Sequence, residues 1–133
     1  MKFKIINETK QIDLVNSAQV ASGFFLRLLG LMFKKKIGPE QALIFYRAPS
    51  IHTFFMRFPI DIIFLDQEMK VKRLIQGLKP WRFVVCRGAQ ITIELPPAKI
   101  SQVKAQIGDK IEITPQSPTS QNKGTFPSFI SSC

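Results

Sequence analysis

The chain has 133 residues, a net charge of +10 at pH 7 and an apolar fraction of 45%. This length suits one domain with one core and excludes two, and the apolar fraction excludes disorder of the whole chain. The charge favours contact with anions, nucleic acid or acidic membrane surfaces. Because the basic residues are spread along the chain, with one run of three at Lys34, Lys35 and Lys36, we interpret the charge mainly as a source of solubility.

Short strands dominate the predicted secondary structure. Apolar residues at 3–6 and 12–15 predict an N-terminal hairpin, and the four-residue spacing of Phe24, Leu28 and Met32 predicts a helix. Further strands are predicted over Ala42 to Tyr46, Ile51 to Phe58, Ile60 to Leu65, Val71 to Ile75, Trp81 to Cys86, Gln90 to Glu94 and Lys110 to Thr114, with a short helix near Ala98 to Gln106. This pattern predicts a mainly β (α+β) fold, a small compact sheet or partly closed barrel with one or two short helices.

Domain boundaries and compartment follow from the ends of the chain. Residues 1–114 form a single predicted β-rich domain, and the polar residues 115–133 a flexible tail. The N-terminus has the pattern of a strand and not of a secretory signal. The most apolar segment, Val20 to Phe33, is shorter than a bilayer span and contains Arg27. We expect a cytoplasmic protein without a membrane span.

Two cysteines, Cys86 and Cys133, lack the spacing of a metal site. A disulfide would tie the tail to the core, but free thiols in a reducing compartment are the favoured interpretation.

Four sequence elements resemble the domain of unknown function 192 family. They are RLLGLMF at 27–33, the apolar strand at 42–45, SIHTFFMRFPIDIIFLD at 50–66, and Glu94-Leu95-Pro96 with Gly108-Asp109 after it. Two departures stand out: Pro97 and Ala98 replace the usual glycine, and the export signal of many relatives is absent. The resemblance implies a small β-rich fold with minor helices, and it implies no reaction and no cofactor.

His52 is the only histidine. On a strand it would share one face with Phe54 and Met56. Imidazole with a thioether suits a soft metal, but His52 and Met56 would be about 13 Å apart along the strand. We therefore predict no metal and no cofactor. The alternative is that Met56 fills the core and His52 hydrogen-bonds a backbone carbonyl.

Asp61 lies inside an apolar run, where a carboxylate must be paired or hydrogen-bonded. An ion pair with Arg57, acceptance of backbone N–H groups, and orientation of His52 as in a catalytic site all stay open. Cys86 beside Arg87 is a candidate reactive thiol, although buried inert cysteines are commoner. Arg27 and Glu94 could each face a cleft or be surface charges.

Three functional hypotheses result. The first is a non-catalytic binding or accessory module, with a cleft beside residues 51–66 that holds a small molecule or a peptide. Its predicted contacts are His52, Phe54, Met56, Arg57 and Asp61, with Arg27 and Glu94 as further candidates. The second is a hydrolase that uses His52 and Asp61, with either Cys86 as a candidate nucleophile or an activated water. The third is weak, salt-dependent nucleic-acid binding through the net charge.

Overall fold

The computed structural model describes residues 2–21 and 37–116. In that part of the chain nine strands form a seven-stranded sheet and a two-stranded sheet, and there is one short helix. The elements are β1 Phe3–Asn7, β2 Ile12–Val20, β3 Gln41–Tyr46, β4 Ser50–His52, β5 Ile60–Leu65, β6 Val71–Leu78, β7 Phe83–Val85, β8 Ile91–Leu95, α1 Lys99–Val103 and β9 Ile111–Pro115. The mainly β prediction is confirmed. The predicted helix through Phe24, Leu28 and Met32 lies outside the described residues, as does the tail beyond residue 116, so the predicted domain boundary stays a prediction.

The large sheet curls into a partly closed barrel. Its strand order is β6-β5-β8-β3-β2-β1-β9, and among these strands β2 and β3 pair in parallel while the others are antiparallel. The first and last strands of this order meet at one end. There the Val71 amide donates to the Asp109 carbonyl at 2.9 Å, and the Ile111 amide donates to the Met69 carbonyl at 2.8 Å. These bonds satisfy edge groups that an open sheet would leave unpaired.

Strand β5 is buried on both faces, since all six of its residues are buried. Ile63 and Leu65 join the inner cluster, which fills the curl of the sheet and includes Ile100 and Val103 of α1. Ile60, Ile62 and Phe64 join an outer cluster on the other face, beneath the small sheet. Burial on both faces explains why this part of the sequence is almost continuously apolar.

The small sheet pairs β4 with β7 in antiparallel fashion, with His52 opposite Phe83. Ile51 and Val84 pack into the outer cluster, whereas Phe83 on the other face is exposed. The predicted strand from Ile51 to Phe58 is wrong beyond His52. The chain turns there, and Phe55 adopts a φ of 65°. The predicted helix near Ala98 is likewise shorter, because it ends at Val103.

A buried carboxylate fastens the closing end of the barrel. Asp109 accepts hydrogen bonds from the Asn7 side-chain amide at 2.7 Å and the Gln106 backbone amide at 2.9 Å, and its carboxylate is 3.0 Å from the Lys10 ammonium. Burial alone would raise the pKa of Asp109, but these bonds together hold it below its ordinary value. The turn at Gly108-Asp109 therefore also ties β9 to β1.

We predict that Asp109→Ala lowers the free energy of unfolding by about 2–3 kcal/mol at pH 7, because the buried Asn7 amide loses its acceptor. Since the pKa of Asp109 is lowered by folding, this contribution is present above the ordinary Asp pKa and is lost as the pH falls through the folded value. Urea unfolding of Asp109→Ala, Asn7→Ala and the double variant measures the coupling. Fully additive effects would contradict a shared network.

Candidate functional site

Exposed apolar side chains gather on the outer face of the small sheet and on the two loops beside it. We call this the aromatic surface, and its members are His52, Phe54, Phe55, Trp81, Phe83 and Val85. Phe54 is 37% exposed, Trp81 56% and Phe83 61%. Isolated exposed apolar residues are ordinary, but a contiguous group of them marks an interaction site.

The rings of this surface contact one another. The centroids of His52 and Phe54 are 4.9 Å apart, those of Phe54 and Trp81 are 5.8 Å apart, and both pairs are stacked at 28°. Phe55 meets Trp81 edge to face at 4.7 Å. The half-buried His52 also accepts a hydrogen bond at Nδ1 from the Phe54 amide at 3.2 Å. The imidazole is therefore part of the aromatic packing.

The fully buried Thr53 joins the two loops that carry these rings. Its hydroxyl donates to the Lys79 carbonyl at 2.7 Å and accepts from the Arg82 amide at 2.8 Å. Its own amide donates to the Arg82 carbonyl at 2.8 Å, and its carbonyl accepts from the Trp81 amide at 2.9 Å. One residue thus bonds to the main chain of three residues in the opposite loop.

Two of the rings stand on left-handed backbone. Phe55 has a φ of 65° and Trp81 a φ of 64°. A bulky residue in this region costs about 1–3 kcal/mol and persists when the surroundings enforce it, most often at functional sites. The hydrogen bonds of Thr53 provide that enforcement at Trp81.

The electrostatic setting of the aromatic surface is wholly cationic in sequence. Residues 69–93 contain no Asp or Glu, and neither do residues 41–60. The first stretch holds Lys70, Lys72, Arg73, Lys79, Arg82 and Arg87, and the second holds Arg47 and Arg57. Lys70 and Lys72 lie close enough to Asp66 for their charges to act on its carboxylate, so the cations beside the aromatic surface are mainly Arg73, Lys79 and Arg82. Arg82 lies between Trp81 and Phe83 in the chain, and the Arg73 guanidinium donates to the Val85 carbonyl at 3.4 Å. The basic residues that look dispersed in the sequence are therefore partly gathered by the fold.

Asp61 lies apart from His52 in its bonding. It is fully buried, with one carboxylate oxygen accepting from the Gly77 amide at 2.9 Å and the other from the Ile100 amide at 2.8 Å. No hydrogen bond joins it to His52, and no ion pair joins it to Arg57. Of the three roles that the sequence left open, acceptance of backbone N–H groups is the one seen here.

The bonds of Asp61 explain two local features. The helix α1 begins after Ala98, whose side chain offers no acceptor, so Asp61 from β5 caps its first turn. Gly77 has a φ of +64°, a conformation that glycine adopts without steric cost, and it turns its amide to the other carboxylate oxygen. Asp61 thereby joins β5, β6 and α1.

We predict that Asp61→Ala lowers the free energy of unfolding by about 2–5 kcal/mol, because two buried amides lose their acceptor. Asp61→Asn, which keeps one acceptor oxygen, should lose less. The matched control is Asp13→Ala, since Asp13 forms a surface ion pair with Lys4 at 3.2 Å and should change stability by less than about 1 kcal/mol. Equal losses in Asp61→Ala and Asp13→Ala by urea unfolding would refute the capping role.

Met56, Cys86 and Arg57 differ in accessibility. Met56 is 5% exposed and Cys86 is 7% exposed, and both pack in the outer cluster beneath the small sheet. Arg57 is exposed. Arg27, the remaining candidate from the N-terminal half, lies outside the described residues. Of the predicted site residues, His52 and Phe54 belong to the aromatic surface, and Arg57 is exposed in the same loop between β4 and β5.

Glu94 is a buried acid with an unusual environment. It lies on β8 between Leu43 of β3 and Ile62 of β5, and its side-chain oxygen Oε1 has no hydrogen-bond partner among the described residues. Burial raises the pKa of Glu94 to about 8. Near neutral pH the carboxyl group is therefore mainly protonated, which suits its apolar neighbours.

We predict that Glu94→Gln removes a pH dependence of stability. Because folding raises the pKa of Glu94, its contribution is fully present below the ordinary Glu pKa and is lost as the pH rises to about 8. At high pH the variant should exceed the wild type by up to about 5 kcal/mol, since the pKa rises from 4.5 to about 8 on folding and each pKa unit corresponds to about 1.4 kcal/mol. Urea unfolding at acid, neutral and alkaline pH measures this difference. Parallel pH profiles would contradict the assignment.

A shallow depression of about 240 Å³ lies elsewhere on the sheet, lined by Tyr46, Arg47, Asp66, Gln67, Met69, Gln90 and Ile91. Small-molecule sites usually enclose roughly 300–1,000 Å³. Within the described part of the chain, no three His, Cys, Asp or Glu residues are placed to hold a metal ion. The aromatic surface is therefore the stronger candidate site.

Sequence reasoning missed Thr53, Trp81, Phe83 and Val85. A signal was present, because Trp81, Phe83 and Val85 alternate with Arg82 and Val84 and so fall on one face of a strand. Which face is exposed depends on the packing of Val84 into the outer cluster, and this contact is not visible in the sequence.

Comparison with known proteins assigns the chain to a family. The fold is that of a small β protein, and the family model DUF192, described as Uncharacterized ACR, COG1430, matches residues 5–113. The chain belongs to this family. It is 39% identical over 115 residues to UPF0127 protein PH1112 of Pyrococcus horikoshii, covering 81% of this chain and 96% of that protein. It is 38% identical over 115 residues to a UPF0127 protein of Thermococcus sibiricus, covering 81% and 73% respectively.

A solved structure supports the fold. A protein of unknown function from Novosphingobium aromaticivorans aligns with a TM-score of 0.71 over 83% of this chain and 82% of that chain, at 21% identity. At this identity the likeness concerns the fold alone. Among the described helices, none has the length and apolar character needed to cross a membrane.

Proposed function

We propose that this protein is a non-catalytic binding module whose aromatic surface holds a small molecule or peptide with apolar and anionic groups. The observation that carries the proposal is the contiguous set of exposed rings in a stretch of chain that has cations and no acidic residues. Apolar contact area provides affinity, and the surrounding charge selects anions. We include His52, Phe54 and Arg57 among the contacts of this site, and Met56 packs beneath it in the outer cluster.

The contacts favour binding over hydrolysis. A hydrolytic His52 would need an orienting group and a nucleophile within hydrogen-bond reach. Both carboxylate oxygens of Asp61 accept backbone amides, and Cys86 is buried in the outer cluster. The free thiol of Cys86 also fits the cytoplasmic location that the sequence favours.

We predict that a short acidic peptide with two phenylalanines, Asp-Phe-Glu-Phe-Asp, binds at the aromatic surface. Titration followed by ¹H–¹⁵N NMR should shift the amides of residues 52–55 and 81–85 in a saturable way. Exchanging the phenylalanines of the peptide for serine should abolish these shifts, and exchanging its acids for lysine should weaken them.

The variant Trp81→Ser with Phe83→Ser should weaken this binding about tenfold or more, because exposed aromatic anchors contribute most of the affinity of such surfaces. Ile107→Ser is the matched control, since Ile107 is 69% exposed in the turn before β9. Shifts confined to other parts of the protein, or an equal loss in Ile107→Ser, would refute the proposed site.

A further inference from the structure

We infer that the partner of the aromatic surface is the anionic face of a lipid bilayer, against which the protein docks as a peripheral module. This inference rests on the aromatic surface being the binding site, as in the proposed function, and goes beyond a small molecule or peptide to a larger partner with the same apolar and anionic chemistry. Three features of the surface support it: the arrangement of its rings, the charge around it and its rigidity.

The rings pack against one another and leave few ring faces free for stacking. Phe54 stacks on His52 at 4.9 Å and on Trp81 at 5.8 Å, so these rings turn much of their faces toward one another. Single-stranded nucleic acid binds by stacking its bases on free ring faces. A bilayer interface requires only contiguous apolar area, and tryptophan and phenylalanine are well suited to that depth. The exposed aliphatic Val85 fits a bilayer and offers nothing for a base to stack on.

The charge of this part of the chain matches an anionic surface. All charged residues between 69 and 93 are cations, and they include Lys79 and Arg82 on either side of Trp81. Arg82 and Lys79 are exposed, and their long apolar stems let the charged heads stay at lipid headgroup level while the rings enter deeper. Basic residues beside inserted apolar groups are the usual device for recognising anionic leaflets.

The acidic residues lie elsewhere. The chain has nine, and they are Glu8, Asp13, Glu40, Asp61, Asp66, Glu68, Glu94, Asp109 and Glu112. Asp61, Glu94 and Asp109 are buried. Asp66 and Glu68 lie in the turn that joins β5 to β6, at the opposite end of those strands from Gly77 and Lys79. No acid in the two cationic stretches would oppose a negative headgroup.

The surface is held in place before any partner arrives. Thr53 fixes the loop of Trp81 through its hydroxyl, amide and carbonyl groups. Insertion therefore orders little additional chain, which lowers the entropy cost of binding. A rigid apolar surface of this kind suits insertion into a planar interface.

The test is sedimentation with vesicles of phosphatidylcholine containing about 30% phosphatidylserine, against vesicles of phosphatidylcholine alone. We expect the full chain to sediment with the anionic vesicles and to be released when the salt is raised from about 50 mM to about 500 mM. Trp81 is the only tryptophan, so its emission should shift to the blue and be quenched by lipids brominated on their acyl chains. Binding without quenching of Trp81 would overturn the inference.

Two variants and their controls separate the contributions. Trp81→Ser with Phe83→Ser, and separately Lys79→Glu with Arg82→Glu, should each reduce partitioning about tenfold or more. The controls are Ile107→Ser for exposed apolar area and Lys104→Glu with Lys110→Glu for an equal change in net charge. Equal losses in the controls would show that hydrophobicity or net charge acts without regard to place, and would overturn the inference.

The same experiment distinguishes other partners. A twelve-nucleotide thymidine oligonucleotide that quenches Trp81 more strongly than the vesicles, and displaces them, would replace the bilayer with single-stranded nucleic acid. If the vesicles fail while the acidic phenylalanine peptide still shifts residues 81–85, the inference is wrong and the binding module stands. If both fail, the proposed function is wrong as well.

Discussion

The hydrogen bonds of Thr53 are the constraint on which the exposed surface depends. The small sheet is only three residue pairs long, from Ser50 opposite Val85 to His52 opposite Phe83, and a two-stranded ribbon of this size is marginal on its own. Thr53 extends the connection beyond the last pair by bonding to Lys79, Trp81 and Arg82. The outer cluster anchors the ribbon from below through Ile51 and Val84. Together these contacts hold exposed rings in a fixed arrangement that solvent would otherwise disfavour.

The chemistry-bearing residues of segment 50–66 have divided roles because β5 has two covered faces. Asp61 faces the inner side of the sheet, where it caps α1 and holds Gly77. Met56 and Cys86 lie between the two sheets. The loop between β4 and β5 reaches the outside, and there Phe54 and Arg57 are exposed. Segment 50–66, which looks like one site in the sequence, therefore consists mainly of structural residues. Its exposed loop is the part that can contact a ligand.

The sequence predicted the buried strands better than the exposed loops of the aromatic surface. The apolar runs of β3 and β5 and the N-terminal hairpin were predicted correctly, because each run reflects local burial. The strand through Phe54 and Met56 was predicted too long, since the bonds that turn the chain come from a loop more than twenty residues away. Trp81 and Phe83 are also more than twenty residues from His52 in the sequence, so their closeness to it in space was not predicted. Ring contacts between loops 53–55 and 79–83 follow from tertiary packing, and no local pattern encodes them.

Amide hydrogen exchange of the free protein, followed residue by residue, tests most directly whether the aromatic surface is held rigid. The amides of Thr53, Trp81 and Arg82 donate within the protein, as does the Cys86 amide that closes the other end of the ribbon on the Pro49 carbonyl. The account predicts slow exchange at all four, with protection approaching that of β5. Exchange of Thr53, Trp81 and Arg82 at unfolded-chain rates, while β5 stays protected, would contradict it.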